Sequence, residues 1–349
     1  MITEVLPITE ESLKKAKEII LAGGVVAFPT ETVYGLGANA LDENAVKKIF
    51  KAKGRPSDNP LIVHVADKNA IGALVTKILP NAQKVIDTFM PGPITVVMPK
   101  SDLVPSAVTA GGATVGVRIP QSEKARRFLS AVGVPIAAPS ANTSSRPSPT
   151  TAKHVFDDLN GKIPLILDGG ECSGGVESTV VSFDEKKATL LRPGLITVED
   201  LSCIVDKVEI HPSVLKDGKV DAAASPGMKY KHYSPCARVL IINDDVLFAK
   251  QTYKHLKSIG KNPVLLWQDD KKITDENHYL FFEKDDVALA AKNLFAFLRK
   301  ADSEGYDVVL AQGLDTRGKG LSVMNRLLRA AAFTLIDKNT TKDEINRLL

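Results

Sequence analysis

The 349-residue chain is poor in cysteine, in aromatic residues and in long apolar runs, and each shortage closes a class of function. Cys172, Cys203 and Cys236 lie far apart with no CxxC pair, which excludes a disulfide framework and a thiolate zinc centre and fits a reducing compartment. Aromatics make up 5% of the chain, too few to form the stacked platform of a single-strand binder. No apolar run reaches the roughly 18 residues of a bilayer span, and the start MITEVLPITE is acidic with no leader-like core. A soluble, cytoplasmic protein is expected. Net charge is +4, from 45 basic and 41 acidic residues, too mild to identify a nucleic-acid binder by itself.

What is present is ordinary globular composition, 44% hydrophobic and 25% charged, in a chain long enough for about two domains. Residues 1–211 read as a mixed α/β domain. Helical spacing marks Ser12 to Leu21, DENAVKKIFKAK, Ala82 to Phe89, Glu123 to Ala131 and Ala152 to Asn160. Strands are expected at Val25 to Pro29, LIVHV, Ile94 to Met98, Thr114 to Ile119, Pro135 to Ala138, Leu165 to Leu167, Ser178 to Phe183 and Thr189 to Leu191. Residues 212–237 lose all period and read as a linker. In 238–349 strand alternates with helix, the pattern of a smaller parallel-sheet domain.

Two phosphate-binding patterns are near matches. Gly35 to Ala40 fits G-x-G-x-x-A, but PTETVY separates it from the strand and no acidic residue ends the next strand. Gly313 to Gly320, GLDTRGKG, resembles a phosphate loop with Gly320 where the magnesium-binding hydroxyl belongs. A more distributed constellation is stronger. The period of two puts Thr114, Gly116 and Arg118 on one face of TVGVRIP, and Ile62 with His64 on one face of PLIVHV. KAKGRPSDNP supplies Lys51, Lys53 and Arg55, cations that suit either a solvated helix end or a polyphosphate. APSANTSSRPSPTT carries hydroxyls and amides to a helix N-terminus, and Arg192 sits between a strand and a rigid Pro-Gly turn. Several strand ends converge on one anion-binding face.

FPTETVYGLGANA, KGRPSDNPLIVHV, PGPITVV, TVGVRIP, APSANTSSRPSPTT, ESTVV, LRPG and SPGMKYKHYSP, in this order, together resemble the L-threonylcarbamoyladenylate synthase family in its two-domain form. Ile119 and Gly116 stand where Met and Ala are more usual, and Lys231 where Arg is common; these departures touch packing. The resemblance implies a YrdC-like twisted mixed sheet with a deep positive cavity, a linker closing over it, and a Rossmann-like α/β domain. It implies a nucleotidyltransferase that joins L-threonine, bicarbonate and ATP into threonylcarbamoyl-AMP and pyrophosphate with Mg2+. A separate transferase would then modify the adenosine beside the tRNA anticodon.

In that reading Arg118 pairs the threonine carboxylate, and Thr32, His64, the Ala138 backbone and Ser178 complete the amino-acid pocket. Lys53, Arg55, Asn59, Thr114, Ser140, Asn142, Ser148 and Arg192 hold ATP, with Lys53 and Arg55 opposing charge on the leaving pyrophosphate. Magnesium would arrive on the ATP phosphates, with Ser140 and Asn142 as candidate ligands. Glu31 would orient neighbouring cations, Gly35 and Gly37 would let backbone approach the reactants, and Tyr230, His232 and Tyr233 would cap the cavity. The competing expectation is a non-catalytic RNA-binding or regulatory module using the same positive cavity; related domains are reported to bind double-stranded RNA.

Overall fold

The computed structural model describes residues 1–215, 233–274, 276–283 and 286–349. By their contacts these form two compact units, the first holding Met1–Ser144 and Ser148–Val214, the second Ser145–Pro147, residue 215 and residues 233–349.

The first unit is built on a mixed sheet of eleven strands. In chain order they are β1 Glu4–Pro7, β2 Val26–Phe28, β3 Gly35–Asn39, β4 Ile62–His64, β5 Ile94–Pro99, β6 Thr114–Arg118, β7 Ile136–Ala138, β8 Leu165–Asp168, β9 Thr179–Phe183, β10 Ala188–Arg192 and β11 Val208–Ile210. Their lateral order is β1-β8-β2-β3-β7-β4-β6-β5-β9-β10-β11. Helices start where the sequence supplies caps. Thr9 and Ser12 form a reciprocal box at Glu10–Leu21, Asp42 caps Glu43–Lys53, and Gly54 closes that helix in the left-handed region. Leu13, Ala16 and Ile20 meet Phe128, Leu129 and Val132 of the helix Glu123–Val132 over Val26, Phe28 and Ile136. Each large side chain buried in this cluster contributes about 1.5–3 kcal/mol relative to exposure.

The structure adds a strand that the sequence pattern did not mark: GLGAN is β3, antiparallel to both β2 and β7. Packing explains its glycines. A Cβ on Gly37 would lie 2.6 Å from Ile136 Cγ2 and 3.0 Å from Phe28 Cε1, so the bare strand makes room for the Phe28 ring. Glu4–Pro7 is also a strand, parallel to β8.

The second unit holds a parallel five-stranded sheet in the order β14-β13-β15-β12-β16. Its strands are β12 Arg238–Ile242, β13 Pro263–Trp267, β14 His278–Leu280, β15 Val308–Gln312 and β16 Leu335–Ile336. The helices Val246–Ser258, Val287–Ser303 and Lys319–Ala330 alternate with them. The α/β class with a large mixed sheet and a smaller parallel one is thus as expected. GLDTRGKG is a tight strand-to-helix loop. A Cβ on Gly320 would stand 1.9 Å from the Asp315 carbonyl oxygen, so close backbone approach demands glycine where a phosphate loop needs a hydroxyl. Among the described residues no helix is long and apolar enough to cross a membrane.

Candidate functional site

Ladder register collects the polar strand residues on one face, because residues paired directly across a sheet point the same way. His64 pairs with Arg118 on β6 and with Ile136 on β7, while Ile62 pairs with Gly116 and Ala138. Val97 faces Gly116, and Thr95, two residues before it, faces Val180. On β10 the register shifts between Leu190 and Arg192, so that Arg192 rather than Leu191 pairs with Val180. That bulge turns the guanidinium onto the face of Thr95 and His64. Gly116 lets Thr95 pack close on this face, since a Cβ there would come 3.0 Å from Thr95 Cγ2.

The loop from Pro29 to Tyr34, between β2 and β3, is shaped by its own hydroxyls. Thr30 Oγ1 accepts from the Thr32 and Val33 amides and donates to the Val33 carbonyl at 2.6 Å. Thr32 is fully buried, its Oγ1 2.8 Å from Thr30 Oγ1. Tyr34 Oη donates to Gly170 O at 2.7 Å and accepts from Gly169 N, and Gly174 N donates to Glu31 O at 2.7 Å. The 169–174 segment therefore braces the loop.

Glu31 reaches from this loop to Arg118, whose Nη2 donates to Glu31 Oε1 at 2.6 Å; both side chains are buried, 4% and 8% exposed. Burial works to raise the Glu31 pKa, but the Arg118 charge and the Gln121 and Arg118 hydrogen bonds outweigh it, and the carboxyl is held below its ordinary range. Arg118 Nε is buried with no hydrogen-bond partner among the described residues. Beside it His64 lies edge-on to Phe28 at 5.8 Å, with Nδ1 buried and unpartnered among the described residues. Burial, aided by the Arg118 charge, pulls the His64 pKa down to about 3, so the imidazole is neutral at physiological pH. A cavity of about 360 Å³ is lined by Glu31 together with Ser122, Lys124, Glu171 and Ser173.

A second polar chain runs through Ser178. Arg192 Nε donates to Ser178 O and Nη2 to Ser178 Oγ, both at 3.0 Å, and Ser178 Oγ lies 2.8 Å from Thr95 Oγ1. Ser148 Oγ donates to Glu177 Oε1. A third cluster forms where the helix Glu43–Lys53 ends. The Lys53 ammonium, 2% exposed, donates to the Ser140 and Asn142 carbonyls at 2.6 and 2.5 Å and to Asn142 Oδ1. Ser140 Oγ donates to that same Oδ1, and the Asn142 amide donates to Thr143 O. Arg55 Nη2 donates to the Asn59 and Pro60 carbonyls, while Asn59 Oδ1 is buried and unpartnered among the described residues.

Of the residues singled out in the sequence, His64, Arg118, Ala138 and Arg192 thus share one face of the sheet, with Ser178 bonded to Thr95 at its edge. Lys53, Ser140 and Asn142 form one bonded cluster, and Arg55 with Asn59 a neighbouring turn. Thr114 begins β6 and is exposed. Tyr233 lies in the second unit, its ring 5.1 Å from that of Phe295. Tyr230 and His232 lie outside the described residues. Sequence reasoning passed over Thr95 and Glu177, although a lone threonine inside PITVV and a carboxylate opening ESTVV were the signals. Cys172 is buried, and that burial pushes its thiol pKa far up, which disfavours the reactive thiolate.

Two family models match the chain: "Telomere recombination" over residues 18–194, and "Threonylcarbamoyl-AMP synthase, C-terminal domain" over residues 196–332. The threonylcarbamoyl-AMP synthase of Pyrococcus abyssi is 46% identical over 334 residues, covering 94% of this chain and 96% of the relative. That of Bacillus subtilis is 38% identical over 338 residues, covering 96% and 97%. Among solved structures, P. abyssi Sua5 complexed with L-threonine superposes with a TM-score of 0.89 at 44% identity, covering 96% of this chain and 98% of that one.

Proposed function

Because the chain belongs to the threonylcarbamoyl-AMP synthase family in its two-domain form, we propose that it joins L-threonine, bicarbonate and ATP into L-threonylcarbamoyl-AMP with release of pyrophosphate. The step is a nucleotidyl transfer. Its product serves threonylcarbamoylation of tRNA beside the anticodon, completed by a separate transferase in the cytoplasm.

The chemistry sets two tasks. Threonine must lose an ammonium proton to take up the carboxylate, and the resulting carbamate must reach the α-phosphorus before it decarboxylates. A dry, pre-shaped site serves both. The observation that carries the reading is the buried Arg118 guanidinium beside the neutral His64, its Nη2 on Glu31 of the 29–34 loop and its Nε without a partner among the described residues. Arg118 receives the threonine carboxylate, and Thr32, His64, Ala138 and Ser178 surround the rest of the amino acid. His64 positions rather than abstracts, since so low a pKa makes a poor base near pH 7.

The nucleotide side takes Arg55, Asn59, Thr114, Ser140, Asn142, Ser148 and Arg192. Lys53 acts there through the 140–142 loop that its ammonium ties down, while Arg55 opposes charge building on the pyrophosphate. Among the described residues no cluster of three or more His, Cys, Asp or Glu could cage a metal ion. Magnesium would arrive on the ATP phosphates and spread the charge of the triphosphate; of the two candidate ligands, Asn142 already gives its oxygens to the Lys53 ammonium, which leaves the Ser140 hydroxyl oxygen as the one suited to it.

The test is pyrophosphate release from ATP with L-threonine, bicarbonate and magnesium. Release that needs all four supports the assignment. Release without threonine, or none at all, returns the RNA-binding or regulatory module.

A further inference from the structure

Glu31 is a carboxylate placed where a substrate carboxylate would meet a rival. It sits on the guanidinium assigned above to the threonine carboxylate, 2.6 Å from Nη2, and is itself nearly as buried as its partner. Two features give it more than a packing role. Its backbone is fixed independently of Arg118, through Gly174 N on Glu31 O at 2.7 Å, with Ser173 Oγ at 3.4 Å on the same carbonyl. The second carboxylate oxygen faces the Ser122 amide at 3.4 Å, too long for a strong bond, and the Gln121 backbone donates to the carboxylate as well, so Arg118 is its one charged partner among the described residues. The guanidinium in turn has one arm taken and one donor, Nε, buried with no partner among the described residues.

We propose that Glu31 is a positioning residue for amino-acid binding: it stands in for the substrate carboxylate when the pocket is empty, fixes Arg118 by Nη2, and leaves Nε for the incoming ligand. Without a counter-charge, a guanidinium this buried would be costly to keep in place. With one, the arriving carboxylate must share the cation with a resident anion, so Glu31 weakens threonine binding while keeping the fork aimed. The pocket is thus set for release of the anionic acyl-adenylate as well as for capture of the amino acid.

This inference rests on the assignment of Arg118 to the substrate carboxylate, and the test separates the two. Threonine affinity is measured by calorimetry without ATP, alongside the KM for threonine, the KM for ATP and kcat, for wild type, Glu31→Gln and Glu31→Ala. Gln keeps an oxygen for Nη2 and removes the charge, so threonine should bind about tenfold more tightly, with KM for ATP within about twofold of wild type. Ala removes charge and anchor together and should bind threonine more weakly than Gln does. Thermal melting identifies a variant that fails to fold, in which case Glu31→Asp, which keeps the charge but withdraws it, should also tighten binding relative to wild type. Unchanged or weaker binding in folded Glu31→Gln would overturn the inference. Absence of threonine binding in wild type, or its persistence in Arg118→Ala, would instead overturn the assignment on which it rests.

Discussion

Gly194 in the turn after β10 touches neither proposed substrate, yet replacing it with alanine should disable the site through the backbone. An ideal Cβ on Gly194 would stand 2.3 Å from Thr179 N, 2.7 Å from Thr179 Oγ1 and 2.8 Å from the Ser178 carbonyl carbon. Two of these three are main-chain atoms, so no rotamer relieves the clash. Restoring ordinary contact means moving Ser178–Thr179 or the Pro193–Gly194 turn by about 1 Å. Thr179 N donates to Pro93 O at 2.9 Å, and such a displacement would break that bond. Overpacking costs about 1–3 kcal/mol and a stranded buried amide about 1–3 more, so the expected loss is about 3 kcal/mol. Because Ser178 O and Oγ are the acceptors for Arg192, the same shift loosens the guanidinium that completes this edge of the site. Urea unfolding should show the loss of stability, and threonine-dependent pyrophosphate release should fall at temperatures where the variant is still folded. Gly72→Ala serves as control, since a Cβ there meets nothing within 4 Å and the helix Ile71–Leu74 should gain rather than lose stability. A Gly194→Ala protein within about 0.5 kcal/mol of wild type would refute the reasoning, because it would mean the turn and the strand are not in the contact described.

Arg118→Ala should raise the threonine KM roughly 30-fold or more, the equivalent of about 2 kcal/mol, and leave the ATP KM near wild type; equal loss for both substrates would contradict the division of the site. Lys53→Met leaves the carbonyls of Ser140 and Asn142 without their cation, and is expected to cost about 2 kcal/mol of stability and weaken ATP binding while calorimetric threonine affinity holds. His64 is neutral in the fold with a pKa near 3, below the ordinary 6.5, so the unfolded chain binds the extra proton between those values. Its contribution is therefore intact above about pH 6.5 and shrinks as pH falls toward 3, by up to about 1.4 kcal/mol per pH unit. His64→Gln should show a correspondingly shallower acid slope in urea midpoints; superposable slopes would place the ring in water.

The legible parts of the fold were those encoded locally. DENAVKKIFKAK shows its N-cap Asp42 and its stop Gly54, and TVGVRIP shows by alternation alone that Arg118 shares a face with Gly116. GLGAN was opaque because its strand character comes from Phe28 and Ile136, side chains that supply the surface its glycines lack. The site divides in the same way. That His64 and Arg118 are polar intrusions in apolar strands is visible in each strand, but that they are direct neighbours follows from a pairing 54 positions apart. Glu31 was expected to orient nearby cations; that its partner is Arg118, 87 positions away, is tertiary information. Lys53 was read as a phosphate-facing cation from the density of charge around it, whereas burial turned the ammonium onto backbone oxygens of another loop. Sequence reports charge density and periodicity, not which acceptor a buried donor chooses.

The irregularity between Leu190 and Arg192 has a practical consequence for anyone transplanting this chemistry onto a different scaffold. A regularised hairpin, tidied to two unbroken antiparallel strands, would swap Leu191 for Arg192 opposite Val180 and present a hydrocarbon where a cation belongs. The extra residue is a spacer with a job, and copying the side chains without it would reproduce the inventory while losing the arrangement.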